Sequence, residues 1–418
     1  MHKNRKLLPA LLLTIAAGVI AAPAPVSAAE KCEIDTRKTR VVSERVGKRI
    51  QKAYELYSTD QTDQALEVLL EIKTSNEFDK AYVSRFIGNL YAGKDGQTPT
   101  AMKYLKVAID INQLGGTDHA AAIRLMADLS IQERKFEQSL KYYQDWMAFT
   151  CKEDTNVYLR MATANFELKR HDKVIPLADQ AIATQSTPNK GPYTLKMGSY
   201  YETKQYKKAA QIVEEMVRLF PADKRLWVQL AQMYMLSEDY KRSLYTMDVA
   251  YRNGYLEKAS EYKMLAQLYA QNEIPFRSAQ IQEKYLKDGV VEKDESALSM
   301  LANTYHQAKE ISKAITYYGE VAELTNKARY YMRQAGLLME SERYQEAKVA
   351  ARNALNADGL KSAGEAQMLL AQAHFYLEEF KPAYRAAQAA AKDQKTANTA
   401  KGWVSYIQET AQRKKVEL

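Results

Sequence analysis

Apolar residues recur along this chain at helical spacing, and the recurrence itself repeats. In residues 227–250, WVQLAQMYMLSEDYKRSLYTMDVA, Trp227, Leu230, Ala231 and Tyr234 fall at i, i+3, i+4 and i+7, one face of a helix. A polar turn follows at 237–239. Tyr240, Ser243, Leu244, Met247 and Ala250 then make a second helical face. The spacing predicts helix, turn, helix in about 34 residues. The turn and the start of the second helix, SEDYKRS, recur as ERKFEQS (133–139), TKQYKKA (203–209), SERYQEA (341–347) and LEEFKPA (377–383). In each, the fourth residue is aromatic and the seventh is Ala or Ser.

Small residues mark the same frame along most of the chain. In the first helix they predict Ala53, Gly88, Ala127, Ala162, Met197, Ala231, Ala266, Ala302, Ala335 and Ala371, with gaps of 33 to 39 residues. Met197 is the exception, with Gly198 beside it. Twelve residues later come Ala65, Ser139, Ala209, Ser243, Ser278, Ala314, Ala347 and Ala383. Val174 breaks the rule, and Ala101 sits one residue late. Two antiparallel helices approach closely only where side chains are small, so a bulky replacement at Ala231 or Ala314 overpacks by about 1–3 kcal/mol. The aromatic residues Tyr206, Tyr240 and Tyr344 are expected to pack where the second helix begins, as core.

This frame resembles the tetratricopeptide repeat, on Trp227, Leu230, Ala231, Tyr234, Ser243, Met247 and Ala250, with the closing Pro present in the preceding copy as Pro221. The resemblance covers about 46–395. It implies an all-α, right-handed superhelical solenoid of about ten helix-turn-helix repeats. Residues 396–418 read as a C-terminal capping helix, with Trp403, Ile407 and Tyr406 covering the end of the stack. Pro99, Pro275 and Pro382 stand near second-helix starts, where a missing N–H is tolerated. Pro188, Gly191 and Pro192 read as punctuation between units. Segments 92–100 and 112–118 stretch the second unit and are expected to be mobile loops.

The N-terminus reads differently. MHKNRK is a basic stretch, LLPALLLTIAAGVIAA is apolar, and PAPVSAAEK offers cleavage after Ala28 or Ala29. Residues 1–29 resemble a secretory signal peptide, followed by an N-terminal segment, 30–45. The apolar run is shorter than the ~20 residues a spanning helix needs, although an uncleaved anchor is the alternative reading. Cleavage removes Lys3, Arg5 and Lys6 and lowers the formal charge from +9 to about +6. Bases and acids are interleaved, which gives no support for a nucleic-acid partner. A periplasmic location is expected if the source is Gram-negative, with no membrane span after cleavage.

Only Cys32 and Cys151 are present. Two exported cysteines are expected to form a disulfide, with two free thiols as the alternative. No catalytic constellation is found: His119, His171, His306 and His374 are scattered over separate units, and no HExxH, GxSxG or P-loop occurs. The chain therefore reads as no enzyme, with no cofactor and no metal site.

The positive expectation is binding in the concave groove of the solenoid, lined by first helices. An apolar and aromatic strip is expected from Leu159, Phe166, Thr194, Tyr201, Val228 and Met235. A polar strip follows from Lys263, Gln267, Asn303 and His306. Such a groove suits an extended peptide or a partner helix. The bland alternative is that these side chains pack on one another. Arg85 and Asn89 resemble a fragment of the carboxylate clamp known in the repeat family, but the next unit supplies Arg124 with Asp128 and the match is incomplete.

A narrower resemblance rests on VGKRIQKAYELYSTDQTDQALEVLLEI (46–72) and NEFDKAYVSRFIGNLYA (76–92), with the early Cys32. These look like exported repeat proteins of gamma-proteobacteria encoded beside TonB, ExbB and ExbD components. The resemblance implies a periplasmic protein-interaction scaffold accessory to TonB-type uptake. The alternative is a structural scaffold for cell-envelope or polysaccharide assembly.

Overall fold

The computed structural model describes residues 32–38 and 40–418. The segment read as a signal peptide lies outside the described residues. The chain divides into two compact units between Arg170 and His171. Among the described residues there are 22 helices and a single isolated bridge, between Lys327 and Asp358.

The first unit opens on a short helix, α1 (Glu33–Thr36). It continues with the pairs α2 (Glu44–Ser58) and α3 (Thr62–Leu70), α4 (Glu77–Ala92) and α5 (Thr98–Ile111), and α6 (Gly116–Gln132) and α7 (Phe136–Thr150). It ends on α8 (Thr155–Glu167). The second unit opens on α9 (His171–Thr184). Its pairs are α10 (Lys190–Glu202) and α11 (Tyr206–Leu219), α12 (Arg225–Leu236) and α13 (Tyr240–Arg252), then α14 (Ala259–Gln271) and α15 (Pro275–Lys287). They continue as α16 (Glu295–Gln307) and α17 (Ile311–Thr325), α18 (Ala328–Glu340) and α19 (Tyr344–Asn356), and α20 (Ala363–Tyr376) and α21 (Phe380–Ala390). The last helix, α22 (Ala397–Arg413), packs on α21. Within each unit every pair also packs on the next, which is the all-α solenoid arrangement of stacked helix-turn-helix units.

The small-residue frame is where the helices of a pair meet. Ala53, Ala127, Ala231, Ala302, Ala335 and Ala371 on first helices are fully buried, as are Ala65, Ala209, Ala314, Ala347 and Ala383 on second helices. At Gly88 a Cβ would come within 2.7 Å of the Leu105 side chain, so only glycine permits this approach of α4 to α5. Serine at the second small position stays polar at no cost. Ser139 Oγ donates to Ala127 O at 2.9 Å, Ser243 Oγ to Ala231 O at 2.7 Å and Ser278 Oγ to Ala266 O at 2.6 Å. Each hydroxyl thus bonds the small residue twelve positions earlier, which satisfies the buried group.

Except between α4 and α5, where five residues intervene, the turn between the helices of a pair has one geometry. Glu238 takes a left-handed conformation, φ 62°. Its N–H donates to Met235 O at 3.0 Å, and Asp239 N–H donates to Tyr234 O at 2.9 Å, a Schellman closure of α12. Asp239 then caps α13, its carboxylate accepting from Arg242 N–H at 3.0 Å. The same left-handed position holds Asp60, Arg134, Lys169, Lys204, Glu273, Lys309, Glu342 and Glu378, none of them glycine. A Cβ disfavours this conformation by roughly 1–2 kcal/mol, partly offset by the chain entropy glycine loses on folding. Glu238→Gly is therefore expected to raise stability by up to ~1 kcal/mol in urea unfolding. A destabilised variant would contradict this reading of the turn.

A polar ladder ties successive pairs together in the second unit. Tyr234 on α12 donates to Glu214 on α11, and Arg242 on α13 approaches the same carboxylate at 3.4 Å. Tyr269 on α14 donates to Asp248 on α13 at 2.5 Å, and Arg252 pairs with that acid at 2.6 Å. Tyr305 on α16 donates to Glu283 on α15, which also accepts from Tyr317 at 2.9 Å and Lys313 at 3.0 Å. Each acid stands five residues after the second small position, and each tyrosine three after the next first-helix one. The tyrosines turn their apolar rings inward and spend the hydroxyl on the neighbouring pair.

Some local expectations change. Gly191 and Pro192 lie in the first turn of α10 rather than between units, with Asn189 accepting from Gly191 N–H at 2.7 Å. Pro192 is tolerated there because first-turn N–H groups have no intrahelical partner. Tyr240 is 40% exposed rather than core. It is the first residue of α13, and the equivalent Phe380 at the start of α21 is buried, so burial at this position varies from pair to pair. At the C-terminal end Ile407 is fully buried against α21 residues, Trp403 is half-buried, and Tyr406 remains 48% exposed.

Of segment 112–118, expected to be a mobile loop, residues 116–118 begin α6 and the connection 112–115 is held down by the N-terminal segment. Cys32 and Cys151 form a disulfide with Cα atoms 5.9 Å apart, placing α1 against α6 and α7. Arg37 donates to Leu114 O at 3.3 Å and to Asn112 Oδ1, and stands 4.7 Å over the Phe149 ring. Gly116 touches the Ile34 carbonyl where any Cβ would collide. Beneath this clasp His119 is buried against Phe149, at 5.0 Å between ring centroids. Burial, and then the nearby Arg37 charge, lower its pKa to about 4, so the imidazole is neutral at pH 7.

Candidate binding surfaces

The first-helix residues expected to line a groove fall into distinct environments. In the first unit, Leu159 and Phe166 are half-buried on α8. In the second, Thr194 is exposed on α10, its hydroxyl donating to Lys190 O at 3.0 Å. Tyr201 is 43% exposed and packs edge-on against Tyr206, centroids 5.8 Å apart. Val228 is buried in the core cluster with Ala231, Leu244 and Met247, and half-buried Met235 leans on the same cluster. Lys263 and Gln267 are exposed on α14. Asn303 is exposed on α16 and accepts from Tyr318 O–H at 2.5 Å, while His306 is half-buried. In the second unit the solvent-facing part of this set is therefore Thr194, Tyr201, Lys263, Gln267 and Asn303, and Val228 is core.

The fragment resembling a carboxylate clamp is already paired. Arg85 meets Asp118 at 3.1 Å. Arg124 makes two bonds of 3.2 Å to Asp154, the residue that caps α8 through Asn156 and Val157 N–H groups. Burial favours the neutral form of Asp154, but Arg124 and the cap bonds outweigh it and lower its pKa. Asp128 accepts from Tyr143 and pairs with Arg160 at 3.2 Å.

The sequence reading missed a cavity of about 680 Å³ in the second unit, beside the N-terminal ends of α18 and α20. Ala328, Met332 and Leu360 form its apolar part. Arg333, Lys361 and Glu365 stand around it. The connection that makes one wall is fixed by backbone bonds, Ala328 N–H to Asp358 O at 2.9 Å and Asp358 N–H to Asn326 O at 2.8 Å. Gly359 supplies the positive φ, 72°, that the connection needs. Among the described residues no group of three or more His, Cys, Asp or Glu is placed to hold a metal ion, and no helix is long and apolar enough to cross a membrane.

No protein-family model and no curated protein matches the chain. Among solved structures, a tetratricopeptide repeat protein from Parabacteroides merdae ATCC 43184 is similar over 63% of this chain and 99% of that one, at 14% identity and TM-score 0.38. The 41-to-end portion of MamA from Desulfovibrio magneticus RS-1 is similar over 40% of this chain and 93% of its own, at 20% identity and TM-score 0.34. MamA AMB-1 in a second crystal form covers 42% of this chain and 99% of its own, at 17% identity and TM-score 0.35. The fold class rests on the helix pairing and the small-residue frame, not on these similarities.

Proposed function

We propose that this protein is a non-enzymatic scaffold that binds protein partners in the periplasm, as an accessory to a TonB-type energy-transducing uptake system. The observation that carries the scaffold reading is the exposed set on first helices of the second unit, Tyr201 on α10, Lys263 and Gln267 on α14 and Asn303 on α16. Repeat arrays use that surface for extended partners. The Cys32–Cys151 bond supports an oxidising compartment. The TonB link is supported by the resemblance of residues 46–72 and 76–92 alone.

The test is isothermal titration of the purified protein with the purified periplasmic portions of TonB and ExbD. Binding to one of them is expected, weakened on the order of tenfold by Tyr201→Ala, as for an aromatic anchor. Absence of binding to both would remove the TonB reading. Binding unaffected by Tyr201→Ala would move the site elsewhere.

A further inference from the structure

The first unit already ties its own N-terminal segment to one edge of its array. That segment is anchored at one end by Arg37 on the α5–α6 connection and at the other by Ser43 at the start of α4. Ser43 N–H donates to Asp79 Oδ1 at 2.9 Å, and its hydroxyl donates to Asp79 Oδ2 at 2.6 Å. The edge so covered is the start of one first helix together with the connection leading into the next. In the second unit the corresponding edge, the start of α18 with the α19–α20 connection, is open and forms the 680 Å³ cavity.

Charge states what this open edge accepts. Lys327 and Arg329 already share Glu295, Lys327 at 2.6 Å, and Tyr330 donates to it at 2.8 Å. Arg333 and Lys361 make no ion pair among the described residues and are exposed beside the cavity. Met332 and Leu360 line the same cavity and supply its apolar part with Ala328. We propose that this cavity holds an extended acidic segment of a protein partner, with a carboxylate on Arg333 and Lys361 and the neighbouring apolar side chain on Met332 and Leu360. Apolar contact gives affinity and the cation pair gives register and sign selectivity. Glu365 and Asp358 also line the cavity, disfavour an acid placed beside them and so limit where acids in the segment fall. The inference rests on the scaffold reading but uses a surface separate from Tyr201.

The test is a titration of the purified protein, labelled at methionine methyl carbons, with a blocked octapeptide of alternating Asp and Leu. The same peptide with Lys in place of Asp, and inorganic phosphate at matched ionic strength, serve as controls. The expected result is a shift of the Met332 methyl resonance by the acidic peptide alone. The double variant Arg333→Glu, Lys361→Glu, checked for folding by circular dichroism, is expected to weaken binding by about tenfold or more, because two attractive charges become repulsive to an acidic segment. No Met332 shift at millimolar acidic peptide, an equal shift with the Lys peptide, or full displacement by phosphate would each overturn the proposal. Those outcomes leave TonB or ExbD binding at Tyr201 untouched, so the two readings fail separately.

Discussion

Replacing Cys32 with serine lowers the stability of the first unit by about 4–5 kcal/mol in the chain-entropy limit, and by less where the unfolded chain keeps structure. The bond joins residues 119 positions apart, so its loss frees a long loop in the unfolded state. The same change unseats the clasp, and Arg37, Gly116 and buried His119 lose what α1 holds over them. The measurement is urea unfolding of the full chain followed by Trp146 fluorescence, with Trp227 and Trp403 replaced by phenylalanine. Cys151→Ser should give the same loss, and the double variant should add little, because either change breaks one bond. An unchanged midpoint in both would contradict the clasp.

Acid weakens the second unit through Glu283. Burial favours its neutral form, but bonds from Lys287, Tyr305, Lys313 and Tyr317 outweigh that and hold its pKa at about 2. A carboxyl whose folded pKa is depressed adds stability that is present above its unfolded value, near 4.5, and is lost as pH falls towards 2. With solvent screening allowed for, the contribution is about 2 kcal/mol. Glu283→Gln is expected to lose roughly this amount at pH 7 and to flatten the acid-side decline between the two pKa values. The readout is the urea midpoint across pH, followed by Trp227 fluorescence with Trp146 and Trp403 replaced. An identical acid slope in the variant would show that Glu283 does not link this ladder to pH.

The sequence made the pairing of helices readable because close approach permits only small residues, and Ala231 and Ser243 stand in one frame with their counterparts. It did not make the ladder readable. Tyr305 stands in the repeat frame as an apolar-face residue, so the pattern reports its ring and not the bond from its hydroxyl to Glu283 on the preceding helix. Tyr240 is expected in the core because its position recurs, yet it is 40% exposed while Phe380 at the same position of α21 is buried, so the frame alone does not set burial there. Val228 was expected to face a groove, but large neighbours on α13 and α14 bury it. The Cys32–Cys151 tie is expected from two exported cysteines and is present, but the rest of the clasp is not legible, because the pinning is done by Arg37 on the Asn112 and Leu114 carbonyls, a contact that no apolar period reports. The cavity beside α18 and α20 depends on a connection closed by backbone bonds, which no side-chain pattern reports.

The most direct test of the scaffold reading is a photo-crosslinking residue at Tyr201 in living cells, with one at Met235 and outward-facing controls, followed by identification of what each captures. The reading predicts capture of a TonB-type protein or its ExbB or ExbD partners at Tyr201 and not at the controls. Capture of cell-wall or polysaccharide machinery would replace the uptake role with envelope assembly. Capture at the controls with none at Tyr201 would contradict the first-helix surface as the site of binding.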